Sequence, residues 1–316
     1  MENILFLLGI DEDQQLDFQQ RFPQAHFTFT DKTSVTKEQL AEATIIIGNP
    51  PVGLLSDQLT NLKWLQLNSA GYDEYLQPGV LPPQTILSNA RGTYGLTVSE
   101  HALSLCLMLM RKLHLYLRDQ LSHDWAREGR VKSVFGSRVG VVGLGDIGRN
   151  VATRFYSLGA TVIGYDIDSE IQLEAVAEVR PMATIGETVA DLDVLILCAP
   201  ATAETHHLVD TSLLNQAKAD LILINVGRGD LVDTPALIAH MEKNSDFMAA
   251  LDVIDPEPLP KDSPYWDVHN LVLTPHVAGG FHLDKTKELF LEIAAGNLKA
   301  FFTEPAALQN VIRRDS

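Results

Sequence analysis

The chain has 316 residues, of which 46% are hydrophobic and 21% charged, a composition typical of a globular protein long enough for two domains. Its formal net charge of -17 at pH 7 argues against partners such as nucleic acid or anionic membranes, because both would be repelled. An anionic substrate would therefore need a local cationic site.

The two cysteines and the apolar segments bear on where the protein works. Cys106 and Cys198 each lie in an apolar run, so we expect no disulfide framework and a reducing, cytoplasmic environment. The apolar run near the N-terminus has no basic residue before it and is too short for a signal peptide. The longest apolar block, Ala102–Met110, is too short to cross a bilayer, so we expect no membrane segment.

Short apolar runs alternate with polar, helix-compatible segments through the first hundred residues. The strand candidates are Ile4–Leu8, His26–Phe29, Thr44–Ile47, Trp64–Leu67 and Thr85–Leu87. The helix candidates between them are Asp13–Arg21, Lys37–Ala43 and Asp57–Leu62. This alternation predicts an open parallel sheet with helices on both faces.

The segment Asn68–Gly71, called here the 68–71 loop, follows directly on an apolar strand candidate and contains small residues. Such a loop exposes backbone N–H groups, which is one way to bind a carboxylate. An ordinary turn is the alternative, and the loop sequence leaves both readings open.

From Val98 to Leu121 the pattern is that of one long helix whose first half is apolar nearly all round. We expect that half to be buried, at a seam between two domains or between two subunits. His101 and His114 have no acid–base partner nearby in the sequence, so we interpret both as structural.

Glycines in G-x-G-x-x-G spacing, at positions 143, 145 and 148, follow the strand candidate Val139–Val142. A helix candidate, Arg149–Leu158, comes next, and a second strand candidate, Thr161–Tyr165, leads into Asp166. Asp166 lies 18 residues beyond the last glycine. Strand, glycines, helix, strand and acid in this order predict a dinucleotide-binding unit.

Each part of that unit has a physical role. Gly143 permits a tight turn, Gly145 lets the backbone approach a pyrophosphate, and Gly148 lets helix and strand pack closely. The free N–H groups at the start of the helix favour phosphate charge. Asp166 suits the hydroxyls of an adenosine ribose, and nearby Asp168 adds a charge that would repel a 2′-phosphate. The sequence therefore favours NAD over NADP.

More strands and helices alternate after the glycine unit. The strand candidates are Asp193–Cys198, Leu221–Val226, Phe247–Asp252 and Leu271–Thr274. With the two strands of the glycine unit they make six, the number expected of two mononucleotide-binding halves. The segment Asp284–Phe302 has the pattern of an amphipathic helix.

Polar residues stand at or just past the ends of these later strands. They are Arg228, Asp252, Glu257 and His276. Because the strands should run parallel, we expect all of them at one edge of the sheet, facing the glycine turn. An arginine can bind a carboxylate, and a histidine that is oriented by a neighbouring acid can donate a proton. Together these groups suit the reduction of a 2-oxo acid beside a nicotinamide. Taken alone, each residue also fits a surface salt bridge, a solvated acid or a packing contact.

His206 and His207 are adjacent, so we expect their side chains to point in different directions and predict no metal site. The chain has no G-x-S-x-G nucleophile motif and no P-loop lysine. The sequence therefore does not indicate a serine hydrolase or a P-loop nucleotide hydrolase.

Several segments of the chain match motifs of one known family. They are N-S-A-G-Y-D (Asn68–Asp73), V-S-E-H-A-L (Val98–Leu103), G-L-G-D-I-G (Gly143–Gly148), I-N-V-G-R-G-D-L-V-D (Ile224–Asp233), A-L-D-V-I-D-P-E-P-L (Ala250–Leu259), L-T-P-H-V-A-G (Leu273–Gly279) and a terminal L-Q-N-V-I. Over nearly its full length the chain resembles the D-isomer-specific 2-hydroxyacid dehydrogenases.

The resemblance implies an α/β protein of two Rossmann-like, doubly wound parallel-sheet domains separated by a cleft. Residues 1–97 plus 285–316 would form a flavodoxin-like substrate domain, and residues 98–284 an NAD-binding domain. The implied catalytic set is Arg228, Glu257 and His276, and the backbone of Ala70 and Gly71 would bind the substrate carboxylate beside Arg228 and His276. The implied cofactor contacts are Gly143, Gly145, Asp146, Ile147, Gly148, Asp166, Ala199, Pro200, Val226, Gly227, Arg228, Asp252, His276 and Gly279. A homodimer using the helix Val98–Leu121 is implied as well.

The leading hypothesis is an NAD(H)-dependent oxidoreductase that interconverts a small 2-oxo acid and a D-2-hydroxy acid, with His276 as acid and base. The turn at residues 48–53 has no arginine or lysine to meet a phosphate, which disfavours phosphoglycerate-type substrates. Glu257 stands where a formate dehydrogenase would have glutamine. The alternative is a non-enzymatic NAD-sensing binding protein, because some relatives act as corepressors while keeping the same triad.

Overall fold

The computed structural model of the protein describes residues 1–314. The chain divides into two compact units, Met1–Tyr94 with the chain from Gly280 onward, and Gly95–Gly279. One unit contains a five-stranded sheet and the other a seven-stranded sheet, and every strand pair in both is parallel. The predicted fold class, α/β with two doubly wound parallel sheets, is confirmed.

The sheet of the first unit has the strand order β2-β1-β3-β4-β5. Its strands are β1 (Glu2–Phe6), β2 (Ala25–Phe29), β3 (Ile45–Ile47), β4 (Trp64–Gln66) and β5 (Ile86–Ser88). All residues of β3 and β4 are buried, as expected of central strands that are covered on both faces.

Two helices of the first unit begin with capping boxes. Helix α1 (Glu12–Arg21) is capped by Asp11, and α2 (Lys37–Glu42) is capped by Thr36. The third predicted helix, residues 57–62, is wrong, because this segment forms turns. It is too short to be stable as a helix by itself, and the N–H of Asp57 donates to the carbonyl of Gly79 at 2.9 Å.

The first unit is completed by the end of the chain. Helix α9 (Asp284–Thr303) lies against this sheet, where Phe301 stacks on the buried Trp64 with ring centroids 5.5 Å apart. Asn297 Nδ2 donates to Gln66 Oε1 at 2.7 Å, across 231 residues of sequence. The predicted amphipathic helix at 284–302 is therefore confirmed.

The sheet of the second unit has the order β12-β11-β10-β9-β6-β7-β8. Its strands are β6 (Arg138–Val142), β7 (Thr161–Asp166), β8 (Glu178–Pro181), β9 (Val194–Leu197), β10 (Ile222–Asn225), β11 (Met248–Leu251) and β12 (Leu271–Leu273). The sequence predicted six of these and missed β8. This edge strand has no fully buried residue and ends in proline, so it lacks the apolar signal of the others.

The predicted long helix at 98–121 is two helices, α3 (Gly95–Met110) and α4 (Leu113–Ser122). Lys112 between them has the left-handed φ of 56°. The carbonyl of Met110 accepts from the N–H of Lys132 at 2.9 Å, a bond that displaces the helical one a continuous helix would form. The remaining helices are α5 (Asp146–Ser157), α6 (Ile185–Thr188), α7 (Thr211–Gln216) and α8 (Thr234–Lys243). No helix within residues 1–314 combines the length and apolarity that crossing a bilayer requires.

Candidate active site

The glycine turn between β6 and α5 has no room for side chains at two of its three glycines. Gly143 has φ 84°, and an added Cβ would lie 2.9 Å from the Cα of Ala199. A Cβ on Gly148 would lie 1.8 Å from the carbonyl oxygen of Gly143. At the exposed Gly145, no described atom beyond its chain neighbours comes within 4 Å of an added Cβ. The turn is thus closed on itself at its ends and open to a ligand in the middle.

Helix α5 begins at this turn without a side-chain cap among the described residues. Gly145 is its N-cap residue, and no side chain accepts a cap hydrogen bond there. Asp146 instead accepts a hydrogen bond of 2.8 Å from the N–H of Gly95, at the start of α3. The N–H groups of the first turn, which includes Ile147, can therefore bind phosphate.

Asp166 lies at the end of β7, beside the glycine turn. Its Oδ2 accepts from the N–H of Leu144 at 2.6 Å, and its Oδ1 accepts from the N–H of Asp168 at 3.1 Å. These bonds fix the carboxylate, and each of its oxygens can still accept a hydrogen bond from a ribose hydroxyl. An open glycine, an uncapped helix and an oriented acid together fit a dinucleotide.

The ends of β9 and β10 form the neighbouring part of the sheet edge. A Cβ on Gly227 would lie 2.7 Å from the carbonyl oxygen of Ala199. The buried Ala199 backbone is thus in close contact with both Gly143 and Gly227, which explains why both positions are glycine. Val226 is buried at the end of β10, whereas Pro200 is exposed.

Arg228 follows β10 in an extended conformation and is held by the buried side chain of Asn225. Asn225 Nδ2 donates to the Arg228 carbonyl at 2.8 Å, and its Oδ1 accepts from the N–H of Gly227 at 3.0 Å. The Arg228 guanidinium donates to the Gly227 carbonyl at 2.8 Å. A Cβ on Gly229 would lie 2.1 Å from the carbonyl carbon of Ile254, so the Arg228 loop packs against the loop that follows β11.

His276 and Glu257 form a direct pair. His276 Nδ1 lies 2.8 Å from Glu257 Oε2, and the other oxygen, Oε1, accepts from the N–H of Ile254 at 3.0 Å. The carboxylate is therefore fixed, and it fixes the ring. With Nδ1 engaged, Nε2 is the nitrogen left to exchange a proton with a ligand. The His276 side chain is 53% exposed and so accessible.

Asp252 is buried and anchors the segment Thr274–Ala278, called here the 274–278 loop. Its Oδ1 accepts from Thr274 Oγ1 at 2.6 Å and from the N–H of Val277 at 3.0 Å, and its Oδ2 accepts from the N–H of Ala278 at 3.0 Å. Its carbonyl accepts from the N–H of His276 at 2.8 Å. Asp252 thus positions the loop that presents the His276 imidazole. The cofactor contact implied for it stays a prediction, as does that of Gly279, which is half-buried just after the loop.

His101, which was interpreted from the sequence as structural, and Thr274 both belong to this anchor, and the sequence did not predict their contact. His101 Nε2 lies 3.1 Å from Thr274 Oγ1, across 173 residues, and 3.5 Å from Asp252 Oδ1. Because the Thr274 hydroxyl donates its proton to Asp252, it accepts from His101 Nε2–H. His101 therefore has an acid partner, Asp252, that is distant in the sequence. The one sequence signal for this contact was that V-S-E-H and L-T-P-H both belong to motifs of the family.

The 68–71 loop of the first unit has its carbonyl groups bound within that unit. The carbonyl of Ser69 accepts from the N–H of Ala90 at 2.9 Å, and the carbonyl of Ala70 accepts from Asn89 Nδ2 at 2.7 Å. Within residues 1–314, the N–H groups of Ala70 and Gly71 have no acceptor. The loop therefore presents donors and fits an anion.

His206 and His207 are stacked, with ring centroids 3.9 Å apart, which corrects the expectation that they point in different directions. His207 has the left-handed φ of 49°, which turns its side chain towards that of His206. His206 Nδ1 lies 2.8 Å from Asp230 Oδ1, and one ligand atom from each of the three residues lies within 4.8 Å of the others. The cluster could hold a transition metal. That the protein needs no metal stays a prediction.

More than half of the chain matches one protein family. Residues 103–278 match the family described as D-isomer specific 2-hydroxyacid dehydrogenase, NAD binding domain. The chain belongs to this family. The predicted resemblance is confirmed, and so is the prediction that the chain is an enzyme of the D-2-hydroxyacid dehydrogenase type.

Relatives in this family match over nearly the whole chain. The glyoxylate/hydroxypyruvate reductase HPR3 of Arabidopsis thaliana is 33% identical over 278 residues, which are 86% of this chain and 83% of the relative. The glycerate dehydrogenase of Methylorubrum extorquens is 27% identical over 301 residues, 91% of each chain. The crystal structure of a D-isomer specific 2-hydroxyacid dehydrogenase family protein from Aeromonas salmonicida subsp. salmonicida covers 99% of each chain, with a TM-score of 0.87 and 28% identity. The general activity of the chain is that of a 2-hydroxyacid dehydrogenase.

Proposed function

We propose that the protein interconverts a small 2-oxo acid and a D-2-hydroxy acid with NAD(H), using His276 as the acid and base. The observation that supports this most is the pair of His276 and Glu257 at 2.8 Å. Both residues follow strands of the sheet that carries the glycine turn. An acid-braced imidazole beside a dinucleotide-binding edge suits proton transfer that accompanies hydride transfer.

The proton is held at His276 Nε2. In reduction this nitrogen donates to the carbonyl oxygen of the substrate, and in oxidation it accepts the proton of the hydroxyl. Glu257 stabilises the imidazolium and keeps the ring oriented through Nδ1. NADH, when bound, supplies the hydride.

Arg228 would bind the substrate carboxylate and carbonyl oxygen through the fork of its guanidinium. Asn225 bonds to the Gly227 N–H and to the Arg228 carbonyl, so the backbone that carries the guanidinium is held in place. The N–H groups of Ala70 and Gly71 would donate to the same carboxylate, as the resemblance implies.

The substrate would be a small 2-oxo acid without a phosphate. Relatives named for glyoxylate, hydroxypyruvate and glycerate support small substrates. The turn Gly48–Gly53, which follows β3, contains no lysine or arginine to pair with a phosphate.

NAD would bind along the glycine turn. Gly145 gives access to the backbone, the first turn of α5 meets the pyrophosphate, and Asp166 accepts from the ribose hydroxyls. The acids Asp166 and Asp168 would repel a 2′-phosphate, so we propose a preference for NAD over NADP.

We propose that residues 1–97 plus 285–316 form the substrate domain and residues 98–284 the NAD-binding domain. We also propose that the protein is a homodimer in the cytoplasm. Large apolar side chains of α4 and the segment after it are exposed: Leu113 53%, Leu117 57%, Leu121 77% and Trp125 101%. A second copy of the chain would cover them. Both cysteines are free, which suits a reducing compartment.

The test is NADH oxidation, followed by absorbance, with a panel of 2-oxo acids that includes glyoxylate and hydroxypyruvate, repeated with NADPH. We expect turnover of at least one small 2-oxo acid and a higher kcat/KM with NADH than with NADPH. Binding of NADH without turnover of any member of the panel would contradict the proposal and favour a non-enzymatic NAD sensor.

A further inference from the structure

We propose that Asn49 is a positioning residue of the 68–71 loop, which it holds with its amide group facing in one required direction. This inference rests on the proposed binding of the substrate carboxylate by Ala70 and Gly71. Asn49 lies just after β3, and the N–H of the preceding Gly48 donates to the carbonyl of Gln66 in β4 at 2.8 Å. The amide is thereby held at the ends of both strands.

The orientation of the Asn49 amide follows from its two partners. Its Oδ1 accepts from the backbone N–H of Asn68 at 2.8 Å, and an N–H can only donate. The amide nitrogen must therefore face the other partner, Ser69 Oγ, which lies 2.9 Å away. The reverse orientation would place two donors against each other at Asn68.

This orientation also directs the proton of Ser69. Because Ser69 Oγ accepts from Asn49 Nδ2, its single proton is free to donate to the carbonyl of Gly71, at 2.6 Å. Asn49 thus holds the first residue of the 68–71 loop directly and the last residue through Ser69.

Asn49 holds the two ends of the loop, and the carbonyl groups of Ser69 and Ala70 between these ends fix the N–H groups of Ala70 and Gly71, because a trans peptide points its C=O and N–H in opposite directions. The bond from Ala90 to the Ser69 carbonyl sets the direction of the Ala70 N–H, and the bond from Asn89 to the Ala70 carbonyl sets that of the Gly71 N–H. The Tyr94 hydroxyl donates to the carbonyl of Asn68, at the start of the loop. Burial raises the pKa of Tyr94, which keeps this hydroxyl a donor.

A carboxylate at position 49 would reverse the direction of the chain of donors. Aspartate matches asparagine in shape and could still accept from Asn68, but it has no proton for Ser69. The Ser69 hydroxyl would then donate to the introduced carboxylate and leave the Gly71 carbonyl without its donor. A negative charge would also stand beside the site for an anion.

The decisive variant is Asn49→Asp, with Asn61→Asp as its matched control. Asn61 is an exposed residue of the same unit whose Nδ2 donates to the Ala41 carbonyl at 2.9 Å, so the control makes the same change of charge and shape away from the loop. We expect Asn49→Asp to raise the KM for the 2-oxo acid by about tenfold to a hundredfold, as lost hydrogen bonds to a charged group do. The kcat should change by less than about threefold, and the Kd for NADH should stay the same. Asn61→Asp should change the KM by less than about twofold.

Three results would overturn the inference: an unchanged KM in Asn49→Asp, an equal rise in Asn61→Asp, or a parallel loss of NADH binding. If Asn49→Asp does not fold, Ser69→Ala decides, because it breaks the same chain of donors without adding charge. An unchanged KM in Ser69→Ala would then reject the inference. The proposed function fails separately, if the wild type turns over no 2-oxo acid.

Discussion

The 68–71 loop and the 274–278 loop are built by the same device with opposite electrical character. Each follows a parallel strand and is held by a side chain at the end of the neighbouring strand. For the first loop the holding group is the neutral amide of Asn49, and for the second it is the buried carboxylate of Asp252. The first loop would receive an anion, and the second carries His276, which in the proposed reaction is a cation before it donates its proton in reduction and after it accepts one in oxidation. The holding group is thus neutral where negative charge would bind and negative where positive charge would form.

The largest effect is expected from His276→Ala, which removes the group that the 274–278 loop presents. We expect kcat to fall by about 10²–10⁴-fold, because a positioned proton donor is lost. The Kd for NADH, measured by fluorescence titration, should be unchanged. Retained turnover with lost NADH binding would contradict the assigned role.

Asp252→Asn tests whether the second loop requires a charged anchor. In the wild type three donors share the two carboxylate oxygens of Asp252. The asparagine amide offers only one acceptor oxygen, and its NH₂ group would face one of these donors. We expect the free energy of unfolding to fall by about 1–3 kcal/mol in urea titrations, and kcat to fall because His276 loses its support. Asp262→Asn, at an exposed position, is the control and should alter neither quantity. Normal stability and activity in Asp252→Asn would show that charge is not needed there.

Arg228→Lys asks whether binding of the substrate carboxylate needs the fork of the guanidinium in addition to the N–H groups of the 68–71 loop. A lysine keeps the charge but loses the fork of donors, so we expect kcat/KM for the 2-oxo acid to fall by about tenfold to a hundredfold. NADH binding should persist. Steady-state kinetics that match the wild type would show that carboxylate binding does not need the fork of donors at position 228.

The smallest effect concerns His114, which belongs to neither loop. Its replacement distinguishes a loss of stability at low pH from a loss of catalysis. Burial lowers the pKa of His114 below its usual value of 6.5, and within residues 1–314 neither ring nitrogen has a hydrogen-bond partner. The unfolded chain therefore binds this proton more readily, and stability falls as the pH drops below about 6.5.

The variant His114→Leu should have a free energy of unfolding that depends less on pH between 7 and 5, by less than about 1 kcal/mol. His26→Leu, at an exposed histidine, should leave the pH dependence unchanged. If acid inactivation of the wild type is unaltered in His114→Leu, it does not arise from His114.

The strands and the sheet edge could be predicted because continuous apolar runs mark buried parallel strands, and residues after such runs must meet at one edge. The candidate residues Arg228, Glu257 and His276 were chosen in this way, and their catalytic roles stay predictions. The break at Lys112 could not be predicted, because neither glycine nor proline marks it and its cause is a bond from Lys132. The stacking of His206 on His207 and the contact of His101 with Thr274 depend on backbone angles and distant partners, which no local pattern encodes.

The return of α9 to the first unit affects how the chain is made. The strands of that unit leave the ribosome before the second unit does, yet Trp64 lacks its stacking partner Phe301 until the second unit has been made. The second unit, which is continuous in sequence, has all its parts earlier. We expect a nascent chain arrested after residue 279 to resist proteolysis in its later half and to be cut readily in its earlier half, so that the order of maturation is the reverse of the order of translation.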